Sequence, residues 1–395
     1  MTSQFPFKSL LILLSVYYLT ILSRTVFAPL LPVIEVEFGL THAEAGALFL
    51  FIAFGQCAGL LVSGFVSSRL NHRRTIILSP LVMGGAMLAV SRSVSTSSLY
   101  ACLPLVGISA GLYFPSGIAT LTGFTSQQHW GKALALHEMP PNLAFITAPL
   151  FVEVLLKIAP WRGIIVVLGL ASVLMGILFL FFGPRGSQKG EALNTKAMQN
   201  ILPNLSFWVT AALFGLCVGA ESGVYAMLPL FLVNEMGFAR QWANTLLGFS
   251  RLAGFLVLFF SGVITDRIGH YRAMVLFLAV MGTLTFLLGV LHGPFITPTL
   301  IILQAASPPC FFPAALAVAS LVFPSHLRSL GMSLLALVAV LVGNGAIPPG
   351  IGYVAEMSSF SFSFSLLGVL LVGMVPFTLS LRTYSRHSGK EDIVP

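Results

Sequence analysis

Apolar runs of about twenty residues recur from one end of the chain to the other, separated by short polar breaks. A helix advances about 1.5 Å per residue, so roughly 20 apolar residues cross about 30 Å of hydrocarbon. On that measure the pattern predicts twelve spans, near 8–33, 42–68, 75–93, 98–122, 131–156, 162–182, 204–232, 241–264, 273–291, 297–322, 329–354 and 358–381. Between Arg272 and Arg328 lie 55 residues without Asp, Glu, Lys or Arg. As one helix that stretch would be about 80 Å long, so it must turn back, most naturally at His292-Gly293-Pro294. The first run is too long for a signal peptide and no small-residue cleavage site follows it, so it is expected to remain in the mature protein.

Composition sharpens the picture. The 395 residues are 57% hydrophobic and 8% charged, with a mean hydropathy of +0.96. A water-facing surface needs about a quarter charged residues, so the expected class is an all-α membrane protein. The net charge of +8 rests on cations scattered among short loops, and no nucleic-acid partner is expected. Membrane topology accounts for them. With a cytoplasmic N-terminus, 14 of the 20 Lys and Arg fall on the cytoplasmic side, including Lys8, Arg69, Arg185, Lys196, Arg382, Arg386 and Lys390. Arg92, Lys157, Arg162 and Arg240 fall outside, whereas Arg24 and Arg251 lie within spans. That asymmetry predicts both termini cytoplasmic, in a bacterial inner (plasma) membrane. Cys57, Cys102, Cys217 and Cys310 stand alone in apolar stretches and read as packing residues, so no disulfide, metal or cofactor is expected. Neither an ATP-binding loop nor an HExxH or GxSxG motif occurs, which argues against an ATP-driven pump and against an enzyme.

The long polar connection GPRGSQKGEALNTKAMQN divides the chain into an N-terminal six-helix bundle (1–182), a cytoplasmic linker (183–203), a C-terminal six-helix bundle (204–382) and a cytoplasmic tail (383–395). Sliding the second half onto the first at an offset of 198 places Glu235 and Gly237 on Glu37 and Gly39, Gly262 on Gly64, and Arg267 and Arg272 on Arg69 and Arg74. The same offset places Phe312-Pro313 on Phe114-Pro115. Parallel repeats of this kind build transporters that rock around a site near the bilayer midplane.

The segment Gly262-Val-Ile-Thr-Asp266-Arg267-Ile-Gly269-His-Tyr-Arg272 resembles the G-x-x-x-D-R-x-G-x-x-R loop motif of the major facilitator superfamily, and it follows the eighth span, where that family carries its second copy. The first copy, around Gly64, Arg69, Arg73 and Arg74, has Ser68 in place of Asp and Asn71 in place of Gly. The resemblance implies the fold of two pseudosymmetric six-helix bundles, secondary transport by alternating access, and a gating role for these loop residues. The missing acid implies a weaker cytoplasmic latch in the first half. The fifth span lacks the G-x-x-x-G-P-x-x-G-G signature of drug/proton antiporters, and Gly107 stands where many relatives carry a buried Arg. Both differences count against a drug exporter of that kind.

Charges deep in a lipid-facing bundle cost at least a few kcal/mol each and so should face the interior with partners. Arg24 lies about 24 Å along the first span, sharing a helix face with Tyr17 and Thr20. Glu221, with Tyr225 one turn on, occupies a similar depth in the seventh span, and Arg251 lies near the middle of the eighth. Arginine offers a planar fork matched to carboxylate or phosphate oxygens. Arg24 and Arg251 are therefore expected to bind an anionic substrate, with Tyr17, Tyr113 and Tyr225 beside it, an arrangement similar to organophosphate and oxalate transporters of the superfamily. A purely structural Arg24–Glu221 pair is the alternative. Glu221 is the candidate proton carrier, because burial favours its neutral form and a nearby arginine its charged form. His137-Glu138, with Asn142 one turn on, is a second proton-coupling candidate or a gate. Gln56, Gln304 and Asn344 read as helix-joining amides or cavity-lining groups. The expected function is proton-coupled transport of a small organic anion by a monomer. Export of lipophilic cationic or neutral compounds is the alternative, and a transporter-like receptor a more distant one.

Overall fold

The computed structural model describes residues 7–126, 129–184, 186, 188–190, 199, 201–323, 327–378 and 381. The expected tail 383–395 and the cations Arg185, Lys196, Arg382, Arg386 and Lys390 lie outside the described residues. Among the described residues ten helical stretches are long and apolar enough to cross a membrane. In the first half these are α1 (Phe7–Phe38), α2 (His42–Leu70), α3 (His72–Ser91), α4 (Thr96–Phe124) and α6 (Trp161–Phe182). In the second they are α7 (Leu205–Glu235), α9 (His270–Val290), α10 (Ile296–Val322), α11 (Leu330–Met357) and α12 (Phe360–Thr378).

Two further elements complete the series. The fifth, α5, is a pair of helices, Trp130–His137 and Met139–Leu155. The eighth, α8, is Arg240–Ile268, 29 residues long but carrying Arg240, Arg251, Asp266 and Arg267.

Proline explains where these spans depart from unbroken rods. The expected first span ends near 33, yet α1 continues to Phe38 and is interrupted at Val26. Pro29 has no N–H to give the Thr25 carbonyl. Likewise Pro140 and Pro141 follow the break at Glu138, and Pro308 and Pro309 follow a break at Ser307. Three π-helical turns, Gly219–Gly223, Phe231–Glu235 and Val340–Ala346, interrupt α7 and α11.

By contact the chain forms two compact units, one of residues 1–40 and 48–193, the other of residues 41–47 and 194–395. In the first, Phe27, Tyr113 and Phe179 are fully buried; in the second, Phe207, Phe231, Phe311 and Phe364 are. Helices α2 and α4 of the first unit cross through interleaved glycines. A Cβ on Gly59 would come within 3.0 Å of the Gly111 Cα, and one on Gly107 within 2.5 Å of the Gln56 backbone nitrogen. This is the close approach that small-residue faces permit. It leaves no room at position 107 for the arginine many relatives carry.

The repeat is written in the backbone. Among the described residues four have positive φ: Gly39 (61°), Asn71 (70°), Gly237 (69°) and Gly269 (84°). Gly237 lies 198 residues after Gly39, and Gly269 lies 198 after Asn71. Helix starts repeat the spacing, His42 with Arg240 and His72 with His270. Asn71 thus fills a glycine position at positive φ, where a ψ of 162° places it in a region that glycine adopts without strain and other residues avoid. Its side-chain oxygen also accepts from the Arg74 N–H at 3.0 Å, capping α3. Asn71→Gly should therefore be near neutral. Asn71→Ala loses the cap and strains the backbone, and should cost about 2 kcal/mol. Thermal unfolding of the purified variants checks this, and equal melting of the two would refute it.

Each unit also ties the acidic end of its first helix to the start of its sixth. Glu37 accepts from Trp161 Nε1 and Arg162, while Arg162 donates to the Ser93 carbonyl at 2.8 Å. Glu235, 198 residues later, accepts from the backbone N–H groups of Phe360 at 2.5 Å and Ser361 at 3.1 Å.

Candidate substrate and coupling site

In the first unit, α1, α4 and α5 bring three aromatic side chains together. Tyr17 stacks on Tyr113 with ring centres 4.9 Å apart and on His137 at 4.4 Å. The Tyr113 hydroxyl donates to the Leu13 carbonyl at 3.1 Å and lies 3.3 Å from His137 Nε2. His137 is fully buried, and its Nδ1 makes no hydrogen bond. Glu138, at the break, is exposed, its charge lies within electrostatic reach of Tyr17, and its backbone carbonyl accepts from Asn142 Nδ2 at 2.9 Å. His137 and Glu138 differ in burial, yet both adjoin Tyr17.

Arg24, two turns beyond Tyr17 on α1, donates to Gln56 Oε1 on α2. Gln56 is held at the glycine crossing of α2 and α4, so backbone packing sets where the arginine's partner stands. Thr20, expected on the same polar face, turns back to its own helix and donates to the Val16 carbonyl at 2.8 Å.

In the second unit the site is organised by the π turn Gly219–Gly223. A π turn displaces the i→i+4 ladder and leaves carbonyls for other donors. Gln304 Nε2 of α10 donates to the Ala220 carbonyl at 2.8 Å, and the Arg251 guanidinium of α8 donates to the Glu221 carbonyl at 2.6 Å. Arg251 is 9% exposed and lies over the Tyr225 ring, 4.7 Å from its centre. The Glu221 side-chain charge is within electrostatic reach of Arg251. A charge-assisted hydrogen bond is worth about 1.5–3 kcal/mol and a desolvated cation–π contact up to about 2. Glu221, Tyr225 and Arg251 thus form one cluster. Gly219 and Gly223 let Ile347 of α11 pack closely against the same turn.

Of the loop residues, Arg69 lies over the Phe65 ring at 4.7 Å, and Arg73 donates to the Leu180 carbonyl at 2.6 Å. Asp266, Arg267 and Arg272 are exposed, and Gly64 and Gly262 are half-buried. Among the described residues no group of three His, Cys, Asp or Glu side chains is placed to hold a metal ion. Sequence reasoning missed the π turns and the bond from Arg24 to Gln56. The glycines flanking Ala220-Glu221-Ser222 are a local sign of the first of these turns.

The sequence profile of the Major Facilitator Superfamily matches residues 13–306. The chain is similar to the probable sulfoacetate transporter SauU of Cupriavidus necator, 24% identical over 69% of this chain and 69% of that protein. It is also similar to a probable 4-methylmuconolactone transporter of Cupriavidus pinatubonensis, 25% identical over 88% of this chain and 85% of that one. Among solved structures, a bacterial homologue of the human lysosomal transporter Spinster, in an inward-facing and occupied conformation, superposes with a TM-score of 0.76 at 16% identity, covering 98% of both chains. The chain belongs to the Major Facilitator Superfamily, as an integral membrane transporter and not an enzyme.

Proposed function

We propose that this protein is a secondary transporter of a small organic anion, working by alternating access of two six-helix halves and coupled to protons. The observation that carries the reading is Arg251, a buried guanidinium fixed by the Glu221 carbonyl and the Tyr225 face in the second unit. A guanidinium has five N–H donors and keeps its charge in low dielectric, so it suits an oxyanion crossing a bilayer. Arg24 is the second proposed ligand, with Tyr17, Tyr113 and Tyr225 as neighbours. Glu221, His137 and Glu138 are the proposed proton-coupling groups, and the residues of the two loop copies the gate.

The two named relatives support an anion, since sulfoacetate carries two acidic groups and 4-methylmuconolactone one. The Lys and Arg distribution supports cytoplasmic termini in a bacterial inner membrane. Uptake into proteoliposomes tests the reading directly. Unlabelled organic anions, sulfoacetate among them, are expected to compete with or exchange for a labelled organic acid. Competition by lipophilic cations alone would replace this reading with that of an exporter of such compounds.

A further inference from the structure

We propose that Gln304 is a positioning residue of the second unit's site: by holding the Ala220 carbonyl it keeps the turn of α7 in its π register, and that register sets Arg251. In an α-helix the Val224 N–H would donate to the Ala220 carbonyl, four residues back. Here it donates instead to the carbonyls of Gly219 and Glu221. The Ala220 carbonyl, passed over by the ladder, accepts from Gln304 Nε2 at 2.8 Å. The next carbonyl, that of Glu221, accepts from Arg251 at 2.6 Å. Two consecutive carbonyls of one turn thus receive the amide of α10 and the guanidinium of α8.

The first unit supplies a comparison within the same molecule. At the offset of 198, Leu22 and Val26 correspond to Ala220 and Val224. There the Val26 N–H donates to the Leu22 carbonyl at 3.0 Å, the ordinary α-helical bond. Val106 corresponds to Gln304 and Ala53 to Arg251. Where the amide and the guanidinium are missing, the matching residues 21–25 are α-helical. Where both are present, the turn is π.

A buried carbonyl without a donor is unfavourable, so a side chain that supplies the donor favours the shifted ladder over the α register. Gln304 is itself held in place. It is 3% exposed, and its Nε2 lies 3.4 Å from Thr285 Oγ1 of α9. That hydroxyl donates to the Met281 carbonyl at 2.8 Å, which leaves its lone pairs to accept from the amide. Without the amide, the Val224 N–H returns to the Ala220 carbonyl, the Tyr225 N–H takes the Glu221 carbonyl, and Arg251 loses its backbone acceptor. The two registers differ by one residue, about 100° of rotation about a helix axis, so the Tyr225 ring would leave Arg251 as well.

The register is a claim about α7 alone; its consequence for transport rests on the proposed role of Arg251 as a substrate ligand. Nitrogen NMR of the purified full-length protein, carrying isotope-labelled arginine, tests the register without substrate. The Arg251 and Arg24 side-chain signals are assigned by their loss in Arg251→Lys and Arg24→Lys. Gln304→Leu is expected to shift the Arg251 signal and to leave that of Arg24 in place. Thr285→Val keeps the shape and removes the amide's other partner, so it should shift the Arg251 signal in the same direction by less, and it carries the test if Gln304→Leu does not fold.

In proteoliposomes, the sulfoacetate concentration that halves uptake of a labelled organic acid should rise about tenfold in Gln304→Leu, with the maximal uptake rate little changed. It should rise no further when Gln304→Leu is added to Arg251→Lys, because the amide acts through the arginine. An Arg251 signal that neither variant moves, Arg24 and Arg251 signals that move together in either variant, or losses that add in the double variant overturn the proposal. An Arg251 signal that moves while no organic anion competes sustains the positioning role and removes the anion reading instead.

Discussion

Arg251→Lys is expected to lower the initial rate of substrate uptake by about thirty-fold or more, and Arg24→Lys by only a few-fold. The two arginines differ in what surrounds them. Arg251 is held by a backbone carbonyl that the π turn releases and by an aromatic face, two contacts that orient a planar fork. Lysine keeps the charge but presents three rotatable donors on a strongly hydrated head, so it reproduces neither the stacking nor the fork. Losing about 2 kcal/mol of oriented charge-assisted bonding corresponds to that thirty-fold change. Arg24 bonds to a flexible amide, Gln56, which an ammonium can also reach. Uptake into proteoliposomes carrying equal amounts of folded protein checks the order. Equal and mild losses at both positions would mean that neither arginine is a substrate ligand.

The architecture could be read from the chain because lipid imposes one rule everywhere: charge-free runs of helical length must cross, and short charged loops must not. Helices α2, α6 and α10 lie within two residues of where hydropathy places them. Where reading failed, the cause was local backbone chemistry that hydropathy does not sense. The interruptions at Val26, Glu138 and Ser307 follow from proline's missing N–H, and a pattern of apolar positions continues across them unchanged. The π turn at Gly219–Gly223 is similarly silent, since one inserted residue leaves composition untouched while freeing the carbonyls that Gln304 and Arg251 occupy.

The candidate site was visible in part for the same reason. Buried charges announce themselves by cost, so Arg24, Glu221 and Arg251 stood out. Their partners did not, because Gln56 is brought to Arg24 by a tertiary crossing of glycines that only folded helices reveal. Asn71 shows how a departure from a motif can be explained. The position demands a positive-φ backbone suited to glycine, and Asn offsets part of the strain by capping α3.

Glu221→Gln is expected to abolish proton-driven accumulation while leaving substrate exchange close to normal. An inward gradient of one pH unit stores about 1.4 kcal/mol, enough for about a tenfold accumulation of a solute moved with one proton. With Gln the accumulation ratio should fall to near one. The geometry makes this a clean substitution, because Arg251 bonds to the backbone carbonyl of residue 221 and not to the side chain in that hydrogen bond. The amide matches the carboxyl in shape, so the π turn and its bond to the arginine keep their places while the exchangeable proton and the charge facing Arg251 are removed. Counterflow, which needs binding and rocking but no net proton movement, then reports the intact part of the cycle. Intact accumulation would remove Glu221 as the proton carrier. Loss of counterflow together with accumulation would instead assign the carboxylate to substrate binding, since a group that only carries protons is not required when substrate exchanges for substrate.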